Sequence, residues 1–141
     1  MSKEENTRFR WPLIGHSRII DFLQNNLNNG RISHAYLFIG PENIGKSAVA
    51  NFLVGSLVCR HLNDQTKIVP CGQCECCRQL INKIHPDVFW ISREMGETGK
   101  LKKNIGIEQI RQLQDKFNLH SFLNTHKVAV IEQAQNLFEL R

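Results

Sequence analysis

Gly40-Pro41-Glu42-Asn43-Ile44-Gly45-Lys46-Ser47 fits the pattern G-x-x-x-x-G-K-[ST], and that octet decides how the chain around it is read. In such an octet the glycines let the backbone curve around a phosphate chain with its N–H groups turned inward. The lysine reaches the terminal phosphates and the hydroxyl residue takes a position on Mg²⁺, roles that fall here to Lys46 and Ser47. The loop works only between a strand and the first turn of a helix, where unpaired N–H groups face the anion. Both flanks fit. His34-Ala35-Tyr36-Leu37-Phe38-Ile39 is mostly apolar and aromatic and reads as a short buried strand, while Ser47 to Val54 continues with helical spacing to about Cys59.

Working outward, residues 1–10 read as a loose polar tail and Trp11 to Gly15 as an apolar entry segment. Ser17 is placed to cap a helix running to about Leu27, with Ile19, Ile20, Leu23 and Leu27 on one side. Asn28-Asn29-Gly30 ends it with residues that accept a left-handed backbone. On the other side of the loop, residues 60–79 are polar, cysteine-rich and expected to be irregular. Val88-Phe89-Trp90-Ile91, after His85-Pro86-Asp87, reads as a second buried strand. Residues 93–106 carry three glycines and the basic residues Arg93, Lys100, Lys102 and Lys103, which predicts an exposed, mobile connection; a solvated loop is favoured over a DNA contact. Ile107, Ile110, Leu113 and Phe117 recur at helical spacing over 107–118, and Lys127 to Ile131 is a third apolar strand. Strands alternating with helices predict an α/β fold, a parallel sheet covered by helices on both faces.

Cys59, Cys71, Cys74 and Cys77 follow the spacing C-x11-C-x2-C-x2-C, with Cys76 a fifth, adjacent thiol. Four thiolates close a tetrahedral zinc shell, and two residues between ligands let neighbouring thiolates reach one ion. Gly72 allows the tight turn of such a knuckle, and the helix ending at Cys59 supplies the remote ligand. A shell of this kind is structural, since it leaves no open position for a substrate. Cys77 is preferred to Cys76 because it keeps the spacing from Cys74, with His61 and His85 as alternative ligands.

Nucleotide hydrolysis beside a phosphate loop needs a carboxylate at a strand end for Mg²⁺ and a neighbouring group to polarise water. The strand Val128 to Ile131 ends in Glu132-Gln133. Glu132 can serve near the metal, but an amide at Gln133 cannot accept a proton at neutral pH. The loop thus predicts nucleotide binding and the strand end predicts weak or absent hydrolysis; the other reading has Glu132-Gln133 open a surface helix.

The bulk numbers set outer bounds. At 141 residues with 41% hydrophobic content the chain fits one domain with a core. A net charge of +5 permits a nucleic-acid partner without requiring one. No apolar run approaches the roughly 20 residues of a bilayer span. The polar start gives no sign of a signal peptide, so a cytoplasmic location is expected, where cysteines serve metal or reactivity rather than disulfides.

Taken in order, Arg31-Ile32-Ser33-His34-Ala35-Tyr36-Leu37-Phe38, the phosphate loop, the four cysteines, His85-Pro86-Asp87, Ile107-Glu108-Gln109-Ile110-Arg111 and Lys127 to Glu132 resemble the bacterial DNA polymerase III clamp-loader subunits, delta-prime and gamma/tau. The resemblance covers about residues 11–141. It implies an AAA+ P-loop NTPase fold, a three-layer sandwich with a parallel sheet, carrying a zinc-knuckle insertion at about 59–79 and truncated at its C-terminal end. It also implies ATP, magnesium and zinc as cofactors, with Ile14 and Gly15 beside the adenine. The implied partners are the other clamp-loader subunits, gamma/tau and delta, with the sliding clamp and primer-template DNA reached through the complex and no membrane involved. Glu132-Gln133 in place of an acidic pair tilts the resemblance to the delta-prime type, a component of the polymerase holoenzyme with doubtful ATPase activity of its own. Intact Lys46-Ser47 keeps the gamma/tau ATPase as the alternative, and a zinc-knuckle DNA-binding module stands third. Asn43 replaces a glycine common in the family's loop, and asparagine tolerates a positive φ.

Overall fold

The computed structural model describes residues 15–61, 70–123 and 126–137, in two compact units, Met1–Ile81 and Asn82–Arg141. The expected tail at 1–10, most of the entry segment and Ile14 lie outside the described residues.

The first unit is built on helices. Helix α1 (Ser17–Asn28) turns Leu23 and Leu27 inward, and helix α2 (Lys46–Val58) answers with Val49 and Leu53. Ile32, Tyr36, Phe38 and Leu57 pack around these four. Full burial of each such aliphatic side chain contributes on the order of 1.5–3 kcal/mol. Ser17 does not cap α1. His16 holds the cap position at φ 54 with no side-chain bond, and Ser17 is already helical. Gly30, at φ 64, closes the C-terminal turn as expected. The cysteine-rich region is less irregular than its polarity suggests, because Glu75–Ile81 forms a short helix, α3, packed on α2. Gly55 permits the approach: a Cβ there would meet Pro70 at 3.2 Å.

The strand expected at His34–Ile39 does not form. Tyr36 and Phe38 turn to the core, while Leu37 and Ile39 are 73% and 84% exposed. That alternation is the side-chain habit of a strand. A strand, however, needs a neighbour to take its backbone groups, and no described residue pairs with this segment.

The second unit holds the sheet. Strands β1 (Val88–Ile91) and β2 (Val128–Ile131) pair in parallel, Val88 opposite Val128 and Ile91 opposite Ile131. Helix α4 (Ile107–Asn118) connects them, a strand–helix–strand unit of the kind parallel pairing requires. Phe117 of α4 meets Phe89 with ring centroids 5.9 Å apart. Residues 94–102 are exposed but ordered by their own bonds: Lys102 N donates to Glu94 O, and Gly96 N to Lys100 O, both at 2.8 Å. Gly99 makes the tip of this small hairpin at φ 73. The basic connection is therefore a hydrogen-bonded hairpin rather than a mobile loop.

Candidate functional site

The phosphate loop keeps the geometry its glycines predict. Gly45 caps α2 at φ 96, its carbonyl accepting from Val49 N at 3.0 Å, and Asn43 sits at φ 60. Both values lie in the left-handed region, where glycine is unstrained and asparagine tolerated. The loop is open to solvent from Gly40 to Ile44, Gly45 and Lys46 are half-buried, and Ser47 is exposed in the first turn of α2. Lys46 Nζ folds back to donate to the carbonyls of Gly40 and Pro41, at 2.7 and 2.5 Å. The ammonium thus lies across the loop, where it could meet an anion cradled by the loop's N–H groups. Gly15, at φ 92, precedes α1 in the same unit.

Four of the five cysteines converge. The sulfurs of Cys59, Cys71, Cys74 and Cys77 all lie within 4.8 Å of one another. Cys59 comes from the C-cap of α2, Cys71 and Cys74 from the turn before α3, and Cys77 from α3 itself. Gly72, at φ 71, makes the turn between them. Backbone N–H groups already point at the sulfurs: Cys71 N to Cys59 Sγ at 3.3 Å, Cys74 N to Cys71 Sγ at 3.3 Å, Cys77 N to Cys74 Sγ at 3.4 Å. Such bonds stabilise negative charge on sulfur. Burial pushes the Cys74 thiol up, but the Cys77 N–H, with further bonds, more than reverses this and takes it down to about 6. Burial raises Cys59 and Cys77, which a bound cation would reverse, because a coordinated thiol is deprotonated. A soft four-sulfur donor set suits a tetrahedral thiophilic cation, so the cluster can hold a metal ion. Cys76 is buried and stands outside this set, as does the His61 ring; the His61 carbonyl instead accepts from Cys59 Sγ at 3.2 Å.

In the second unit the end of β2 is held by Glu132 N, which donates to Ile91 O at 2.9 Å. The Glu132 carboxylate lies 3.7 Å from Lys83 Nζ, both half-exposed. Gln133 turns left-handed at φ 54 and opens only a three-residue 3-10 turn, Ala134–Asn136; its side-chain oxygen accepts from Asn136 Nδ2 at 3.4 Å. A short 3-10 turn follows there rather than a surface α-helix.

Asp87 entered the sequence reading only within His85-Pro86-Asp87, with no role for its side chain; it is 1% exposed. Its carboxylate accepts from Ser121 Oγ at 2.9 Å, Phe122 N at 2.7 Å and Leu123 N at 2.9 Å. Burial alone would raise this acid, but those donors outweigh it and lower it. The sequence signals were that segment and the position of an acid just before an apolar run. His85, offered as a metal ligand, is buried beside it, and its Nδ1 accepts from Asp87 N at 3.2 Å.

The family described as DNA polymerase III, delta subunit, matches residues 15–139. The tau subunit of DNA polymerase III from Bacillus subtilis is 30% identical over 125 residues, covering 89% of this chain and 20% of that protein. The delta' subunit from Pseudomonas aeruginosa is 33% identical over 103 residues, 73% of this chain and 29% of that protein. Protein STICHEL-like 1 from Arabidopsis thaliana is 35% identical over 117 residues, 82% of this chain and 10% of that protein. The chain therefore spans less than a third of the length of each of these relatives. No helix among the described residues is long and apolar enough to cross a membrane.

Proposed function

The chain belongs to the DNA polymerase III clamp-loader family, and from that premise we propose that it acts as a delta-prime type of subunit in the clamp-loading complex. In this reading it helps place the sliding clamp on primed DNA, beside gamma/tau and delta subunits, in the cytoplasm. Residues Gly40 to Ser47 hold ATP: their backbone groups and Lys46 take the phosphates, and Ser47 takes a place on magnesium. Gly15, just before α1, takes the place beside the base. Cys59, Cys71, Cys74 and Cys77 hold zinc, which would fasten the 59–79 excursion to α2 and α3. The domain is an AAA+ sandwich.

One observation carries the delta-prime choice. At the end of β2 the residue that should polarise water is Gln133, an amide whose oxygen already accepts a hydrogen bond from Asn136. Glu132 is the only carboxylate of the pair, and it sits beside Lys83. Slow turnover is the expected result even with ATP bound. Comparison of the full-length protein with Gln133→Glu in a steady-state ATPase assay tests this. A native rate well below the variant's supports the reading, and equal rates overturn it.

The intact Lys46-Ser47 pair favours a second reading, the gamma/tau ATPase. There Glu132 would serve the metal and another subunit would position the water. Native turnover that matches Gln133→Glu, and is lost in Glu132→Gln, is the outcome that selects it.

A further inference from the structure

Strand β1 is paired on one side only among the described residues. Val128 N donates to Asp87 O and Glu132 N to Ile91 O, both at 2.9 Å, so the odd-numbered residues of this stretch turn their backbone groups toward β2. By the alternation of a parallel ladder, the backbone groups of Val88 and Trp90 face the opposite edge. The Val88 N–H is taken there by His85 O at 3.2 Å. The Val88 carbonyl and both backbone groups of Trp90 have no hydrogen-bond partner among the described residues.

A cleft of about 370 Å³ follows this strand. All of Val88–Ile91 lines it, so it tracks the strand rather than one sheet face. Its far wall is one stripe of α4, Gln109, Gln112, Leu113 and Lys116, spaced as a single helical face. Gln109 shows what that stripe can do: its Nε2 donates to Ser92 O, just past β1, at 2.9 Å. Trp90 lines the cleft, and its indole Nε1 is buried with no acceptor among the described residues.

The charges select the occupant. Lys83 Nζ lies 4.9 Å above the Trp90 ring and Lys116 Nζ 5.2 Å above that of Phe89. The acid of the lining, Glu94, is engaged by Lys102 at 3.0 Å and Lys83 is paired with Glu132 at 3.7 Å, which leaves the Lys116 ammonium as the charge offered to an occupant. The cleft therefore presents net positive charge beside backbone groups ready for pairing. We propose that the outer edge of β1 docks an extended, acidic segment of a partner protein, which joins the sheet as an added strand. Four residues of β1 offer about 13 Å of edge, enough for a segment of four or five residues. This reading is independent of whether the chain hydrolyses ATP.

The test uses the full chain carrying Trp11→Phe, so that Trp90 is the sole tryptophan reporter. The probes are three capped pentapeptides alternating valine with aspartate, with lysine, or with aspartate but prolines in place of the valines. The acidic peptide should shift Trp90 emission saturably and slow hydrogen exchange of the Trp90 amide. The basic peptide should bind at least about tenfold more weakly, the proline peptide should fail to protect the amide, and 0.5 M salt should weaken the acidic peptide. Lys116→Glu, an exposed change, should reverse the preference between the charged peptides. Equal binding of acidic and basic peptides, or emission changes without amide protection, overturns the proposal. So does no response to the acidic peptide at concentrations of about 5 mM, or tighter binding of a single-stranded oligonucleotide at the same cleft.

Discussion

Asp87→Asn gives the sharpest single test of how the second unit is held. The native carboxylate receives three donors, one on Oδ1 from Phe122 and two on Oδ2 from Ser121 and Leu123. Hydrogen bonds to a charged group contribute about 1.5–3 kcal/mol each. Asparagine can keep its oxygen at the doubly bonded position, but its NH₂ then faces the Phe122 N–H, donor against donor. One charge-assisted bond is lost, one buried donor is left unmatched and the remaining two bonds weaken, so the expected loss is about 2–4 kcal/mol at neutral pH. The pH dependence gives an independent handle. The folded-state value of Asp87 is lowered, so its contribution is complete above the unfolded value of about 4 and is lost as pH falls through the folded value. The native protein and the variant should therefore differ most near neutrality and converge in acid. Urea denaturation of both at pH 7 and near pH 3, followed by tryptophan emission, measures this. A neutral-pH difference under about 0.5 kcal/mol, or one that persists unchanged in acid, would refute the account of Asp87 as an ionised clamp on residues 121–123.

Purified protein should carry about one equivalent of zinc by elemental analysis, and Cys74→Ser should lower both that content and the thermal midpoint; less than about half an equivalent in the native protein counts against the cluster as a metal site. Gly55→Val should destabilise by about 1–3 kcal/mol, because side-chain atoms there run into Pro70; a thermal midpoint equal to the native one would show that α2 and α3 are not held so closely. Lys46→Ala should leave the melting curve within about 0.5 kcal/mol, since its bonds are exposed, while weakening binding of a fluorescent ATP analogue by at least about tenfold. Unchanged nucleotide affinity in that variant would remove the loop from the proposed site.

Where a residue's role depends on its near neighbours in the chain, it was legible in advance. The loop needs a positive φ at Gly45 and a tolerant residue at Asn43, and both conformations are set within a few bonds. The two-residue spacing of Cys71, Cys74 and Cys77 brings their sulfurs together around one turn, so their convergence was readable before any packing was known. Helices α1, α2 and α4 followed from helical spacing, and strands β1 and β2 from continuous apolar runs.

Other roles depend on residues far apart in sequence, and only the tertiary structure decided them. Asp87 is an ordinary acid until residues 121–123 turn three donors onto it. Glu132 acquires Lys83 only once the strand ends are aligned. The segment at 34–39 has the composition and the alternation of a strand, yet remains unpaired among the described residues. Composition fixes which face of a segment seeks the core, through an apolar preference each residue carries with it. A strand also needs a second backbone at hydrogen-bonding distance, and that is a property of the assembled fold.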